Sequence, residues 1–201
     1  MKFPIGIQDF KKIREGGFVY VDKTALLYKL ANEGTIYFLS RPRRFGKSLL
    51  VSTLKYYFGG ERELFSGLAI DALEKDWNSY PIFHVDFNST NYTKSGDALS
   101  KLIKGTVEDW ERQYGYVGNE EFDYGKRFAE LLKHVHATTG KRCVVLVDEY
   151  DKPLLDVLDS GMVEQGGDGK EMLLEDINRE ILKGFYSAFK SADQDLRFVL
   201  L

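Results

Sequence analysis

The segment FLSRPRRFGKSLLVSTL, Phe38 to Leu54, crowds Arg41, Arg43, Arg44 and Lys47 into seven positions. Gly46, Lys47 and Ser48 follow one another where a helical pattern begins, with Leu50, Val51, Leu54 and Phe58 on one side. These residue types at this spacing suit an anion. The unbonded N–H groups of a first helical turn, together with the helix dipole, attract negative charge. Gly46 has no Cβ to keep phosphate oxygens away from the backbone. Lys47 is a compact cation able to reach outer phosphates, and the Ser48 hydroxyl is an oxygen ligand suited to Mg2+. The segment reads as a phosphate cradle, a basic surface patch or a nucleic-acid contact.

The match to the phosphate-binding pattern G-x-x-x-x-G-K-[ST] is incomplete, because Arg41 stands where the first glycine belongs and Pro42 follows it. A second constellation favours the cradle. In VVLVDEYDKP, Asp148 and Glu149 come directly after the apolar run Cys143 to Val147, about a hundred residues beyond Lys47. An acid at the carboxyl end of such a strand can hold Mg2+, and the next can accept a proton from an attacking water. The alternative is a helix start, with one of the acids as cap ahead of Pro153. A glutamate suited to activating water favours hydrolysis over phosphoryl transfer. No N/TKxD-type guanine signature is present, so ATP is expected rather than GTP.

Strand-like and helix-like segments alternate, as in a parallel α/β sheet. Thr35–Leu39, Tyr80–Phe87, Cys143–Val147 and the closing LRFVLL read as strands. Helical spacing predicts helices over 23–32 and 47–58, stripes at Leu99, Leu102, Ile103, Val107 and Trp110 and at Phe128, Leu131, Leu132 and Val135, and a long last helix along Leu174, Ile177, Ile181, Phe185 and Ala188. Ser160 to Gly169, with four glycines and no periodicity, reads as a surface loop or a lid near a ligand.

The chain has 201 residues, enough for one sizeable domain. A net charge of −3 argues against a general nucleic-acid coat and makes the basic cluster a local feature. One cysteine, Cys143, excludes an internal disulfide framework and reads as a small buried hydrophobe. The opening residues lack a signal-peptide core and no run is long enough to span a bilayer, so a cytoplasmic protein is expected. A chain stopping in an apolar strand reads as a fragment of a longer one. Asp86, at the end of the second strand, reads as a turn cap or a ligand near the Mg2+ water. Asp22 fits an N-cap. Phe10 and Tyr20 either pack on the domain or cover an adenine. His84, His134 and His136 make no metal site, and the aromatics form no stacking platform for single strands.

The phrases YVDKT (Tyr20 to Thr24), YFLSRPRRFGKSLL (Tyr37 to Leu50), VVLVDEYDKPL (Val144 to Leu154) and GFYSAFKSAD (Gly184 to Asp193) resemble the bacterial AAA-ATPase-like family, over nearly the whole chain. Arg41 departs from the general phosphate-binding loop but agrees with that family's RPRRFGKS. The resemblance implies a three-layer P-loop fold with a mainly parallel sheet in the order 5-1-4-3-2. Residues 1–201 would be its N-terminal part, cut after strand 4, so that strand 5, the sensor and any arginine finger lie beyond. It implies ATP or ADP and Mg2+ as ligands. Arg43, Arg44, Phe45, Gly46, Lys47, Ser48 and Leu49 would hold nucleotide, Ser48 and Asp148 would hold Mg2+, and Lys47 and Glu149 would be catalytic. It further implies a C-terminal nuclease-like domain of the PD-(D/E)XK type, and nucleic acid reached through it. The resulting expectation is an Mg2+-dependent ATPase; a nucleotide-dependent switch or nucleic-acid-associated module with little turnover is the alternative.

Overall fold

The protein's structure, a computed structural model, describes residues 1–40, 45–165, 169 and 171–201. Arg43 and Arg44, expected at the nucleotide, lie outside the described residues. The described elements run α1 (Phe10–Glu15), α2 (Thr24–Glu33), β1 (Ile36–Tyr37), α3 (Lys47–Phe58), α4 (Ala69–Leu73), β2 (Ile82–Asp86), α5 (Ala98–Gln113), α6 (Tyr124–Thr139), β3 (Cys143–Asp148), α7 (Lys152–Leu155), β4 (Val163–Gln165), β5 (Glu171–Leu173), α8 (Leu174–Ser191) and β6 (Leu196–Leu200). Four strands form a parallel sheet in the order β1-β6-β3-β2, and β4 pairs antiparallel with β5. No described helix is long and apolar enough to cross a membrane.

β1 is shorter than its sequence suggests, but its ladder with β6 continues past both ends. Val199 N donates to Thr35 O at 2.7 Å, Leu201 N to Tyr37 O at 3.0 Å and Leu39 N to Leu201 O at 2.7 Å. β2 stops one residue early because Asp86 accepts from Asn88 N at 2.8 Å and turns Phe87–Ser89 into a 3-10 helix. Every residue of β3 is buried, Cys143 included, as an unbroken apolar run requires. The expected loop at Ser160–Gly169 is corrected in part: its middle forms β4, since Val163, Glu164 and Gln165 find partners in Leu173, Met172 and Glu171.

The chain forms two compact units, Met1–His84, Arg142–Asp148 and Arg197–Leu201 in one, Val85–Lys141 and Glu149–Leu196 in the other. In the first, α3 lays Val51, Leu54, Tyr57 and Phe58 into a core with Val144, Leu146, Phe198 and Leu200. The N-terminal segment is tied to it by carboxylates. Asp9 accepts from Lys12 N at 2.8 Å, capping α1, and from the Tyr56 hydroxyl at 2.9 Å. Asp22 takes Thr24 N and the Thr24 hydroxyl on one oxygen and Ala69 N on the other. The cap residue of α2 is therefore Lys23, not Asp22, whose carboxylate joins the start of α2 to the start of α4. Phe10 is fully buried, edge-on to Tyr20 at 5.1 Å and tilted on Phe65 at 4.8 Å, so these aromatics belong to the core.

The second unit is built on α5, α6 and α8. Phe128 stacks on Trp110 at 4.9 Å and on Phe185 at 5.3 Å. Glu111 and Arg127 form a buried two-point ion pair, with Nε–Oε1 at 3.0 Å. α6 and α8 approach so closely at Gly125 that a Cβ there would meet Gly184 O at 2.2 Å, whereas a Cβ at Gly184 meets nothing within 4 Å. The asymmetry is testable. Gly125→Ala should lower stability by about 1–3 kcal/mol, because backbone has to move. Gly184→Ala should be neutral or raise it by up to about 1 kcal/mol through helix propensity. Urea unfolding midpoints of the two variants check this.

A second expectation concerns acid. Burial pushes Asp9 and Asp22 upward, but their hydrogen bonds outweigh it and both lie below the ordinary carboxylate range. Their stabilisation is full above the unfolded pKa of about 4 and is lost as pH falls through the lower folded values. The melting temperature should hold above about pH 5 and drop below about pH 4. Asp22→Asn should melt lower at neutral pH and decline less steeply in acid, as thermal scans over pH would record.

Candidate functional site

α3 begins at a special piece of backbone. Its cap residue, Gly46, has φ 75° and ψ 27°, a left-handed conformation that a side chain would strain. Its carbonyl accepts Leu50 N at 3.0 Å, the first bond of the helix. As a glycine, Gly46 brings no side chain to cap the first turn, and a Cβ there would meet nothing within 4 Å among the described residues. Lys47, Ser48 and Leu49 in that turn are half-buried, and Phe45 before it is 64% exposed. Twelve residues of helix stand behind this turn, enough to carry a dipole.

β3 ends at Asp148, which is 8% exposed. α3 packs against β3 within the first unit, so the lysine–serine helix and the strand that ends in Asp148 are neighbours. The two carry different donors: amides, an ammonium and a hydroxyl on α3, a carboxylate on β3. Hydroxyl and carboxylate oxygens are the hard donors that Mg2+ takes, so the residues present fit that ion.

Glu149 follows Asp148 with φ 53°, one of three non-glycine residues at positive φ among the described residues. Its carbonyl accepts Lys152 N at 3.0 Å and starts the turn into α7. The helix-cap alternative for the acidic pair does not hold, because the cap position of α7 is Asp151. Strained backbone of this kind persists where its surroundings over-determine it, and it clusters at functional sites.

The remaining candidates fall into structural roles. Asp86 caps the turn after β2. The His134 ring packs on Tyr116 at 4.9 Å, and His136 Nδ1 lies 2.8 Å from Asp195 Oδ1. Among the described residues no three His, Cys, Asp or Glu side chains gather as a metal cluster. Sequence reasoning assigned no part to Glu74 or Arg197, which line one cavity in the first unit. The signal for Arg197 was available, as it is the one charge inside LRFVLL.

The conformation of Glu149 has a measurable consequence. Glu149→Gly should be at least about 1 kcal/mol more stable than Glu149→Val, since glycine visits positive φ without a Cβ clash. Glu149→Val should cost more than about 1 kcal/mol, because a β-branched side chain tolerates that conformation worst. Denaturant midpoints distinguish the two.

The model of the AAA-ATPase-like family, described as "Predicted AAA-ATPase", matches residues 4–201. A curated protein of Azotobacter chroococcum mcd 1, named "Uncharacterized protein in vnfD 5'region", is 40% identical over 205 residues, a match covering 100% of this chain and 36% of that protein. The chain thus spans about a third of the length of the curated relative it matches. No solved structure matches. A family match that takes in both units and the helix opening at Gly46 settles the kinship: this chain belongs to the AAA-ATPase-like family.

Proposed function

We propose that the chain binds ATP at the start of α3 and hydrolyses it with Mg2+, in a P-loop fold of sheet order 5-1-4-3-2 to which β1-β6-β3-β2 would contribute strands 1, 4, 3 and 2. One observation carries the reading: a helix opens from a left-handed glycine into Lys47 and Ser48 and packs on the strand that ends in buried Asp148. The family description, which names an ATPase, points the same way.

In this reading the amides of Lys47, Ser48 and Leu49 hold phosphate oxygens, and Lys47 Nζ offsets charge on the β- and γ-phosphates. Ser48 Oγ and the Asp148 carboxylate hold Mg2+. When bound, that ion neutralises charge developing on the transferred phosphoryl group. The Glu149 carboxylate orients the attacking water and accepts its proton. Phe45, exposed beside the cradle, covers the nucleotide, and Arg43 and Arg44 add positive charge. The setting is cytoplasmic, and a nuclease-like domain in the full-length protein would be the route to nucleic acid.

The roles separate by experiment. Lys47→Ala should weaken ATP binding by at least about tenfold in calorimetry. Glu149→Gln should keep binding and lose phosphate release by about 10²–10⁴-fold. Equal affinity in Lys47→Ala would remove the site. Tight binding without turnover in the unmodified protein would make it a nucleotide switch.

A further inference from the structure

A cavity of about 270 Å³ lies in the first unit among the ends of α2 and α3, the start of β6 and the loop before β2. Arg197 stands on one side of it. Its guanidinium donates to Ala31 O at 2.8 Å and Asn32 Oδ1 at 3.2 Å, and it lies over the rings of Phe58 and Tyr80, 5.9 Å from each centroid. These contacts pin the group in place but leave its charge without a carboxylate within 4 Å among the described residues.

Across the cavity the loop 74–78 is equally fixed. Glu74 takes the Tyr57 hydroxyl at 2.5 Å and the amides of Lys75 and Asp76 at 2.8 and 2.9 Å. Burial pushes Glu74 upward; these hydrogen bonds outweigh it, and the carboxyl is held below its ordinary range. Trp77 sits at φ 44°, its ring against Tyr57 and Phe65 and its indole N–H buried without an acceptor among the described residues. A strained, core-anchored Trp77 thus presents its two neighbours, Asp76 and Asn78, to the cavity. The Asp76 carboxylate takes part in no hydrogen bond or ion pair among the described residues, although Arg197 lines the same cavity.

We propose that this cavity binds a small zwitterion, an amino acid whose carboxylate meets Arg197 and whose ammonium meets Asp76. Two opposite charges that share a cavity without pairing are complementary to a ligand bearing both. A pinned guanidinium suits a planar carboxylate. The ring of Tyr28, which also lines the cavity, suits an ammonium, whose charge an aromatic face attracts. The site is separate from the turn that opens α3, because it lies at the other end of that helix, at Tyr57 and Phe58. It gives the chain a place to sense an amino compound whatever the α3 turn binds.

The test titrates the protein with glycine, β-alanine, γ-aminobutyrate and 5-aminopentanoate, with acetate and methylammonium as single-charge probes. The readout is side-chain amide NMR shifts of Asn32 and Asn78. One amino acid of the series should shift both amides, and Asp76→Asn, a change at an exposed residue, should weaken it at least about tenfold while acetate binding is not weakened by the variant. Arg197→Lys should weaken it too, with its folding checked by the unchanged remainder of the spectrum. No shift with any member of the series would overturn the assignment. So would acetate binding as tightly as the best amino acid, or undiminished amino-acid binding in Asp76→Asn.

Discussion

The first unit depends on the seat of α3. A helix can offer the amides of its first turn to solvent or ligand only if the rest of it cannot slide, and here the opposite face is locked. Val51, Leu54, Tyr57 and Phe58 are buried against Val144, Leu146, Phe198 and Leu200 from the two central strands. Phe58 lies 5.0 Å from Phe198, and the Tyr80 amide bonds the Phe58 carbonyl at the helix's end. Burying side chains of this size contributes about 1.5–3 kcal/mol each. Placement of the turn at Gly46 is a consequence of packing along the helix from Val51 to Phe58.

The polar ties of the N-terminal segment serve the same seat. Phe10 N donates to the Ser52 hydroxyl at 2.9 Å, and Asp9 accepts from Tyr56, both on α3. Arg14 donates to Leu64 O and Ser66 O at 2.7 Å each and fixes the loop after α3. A segment that looks irregular in sequence thereby becomes a brace, using charge-assisted hydrogen bonds where it has too few apolar residues to build its own core.

Much of this was readable from residue types. The bounds of α3 followed from its start at Gly46 and from an apolar stripe of period 3.6 through Leu50, Val51, Leu54 and Phe58. β3 announced itself as an unbroken apolar run. What failed to show were features set by tertiary partners. β4 lacks an alternating pattern because both it and β5 are exposed, so no buried face imprints the sequence. Asp22 looked like an ordinary cap, since its bond to Ala69 spans 47 positions. At the candidate site the chemistry of Lys47, Ser48, Asp148 and Glu149 was legible as types and spacing. The left-handed backbone of Glu149 was not, because glutamate carries no signal for it. Arg197 was lost in its apolar run, a reminder that a lone charge in a strand is information.

Cys143 opens β3 and is wholly enclosed, the single thiol in the chain. An alkylating reagent can reach that sulfur only when the sheet's interior comes apart. The rate of its labelling is therefore an intrinsic clock for the opening of the strand that ends at Asp148, needing no introduced probe.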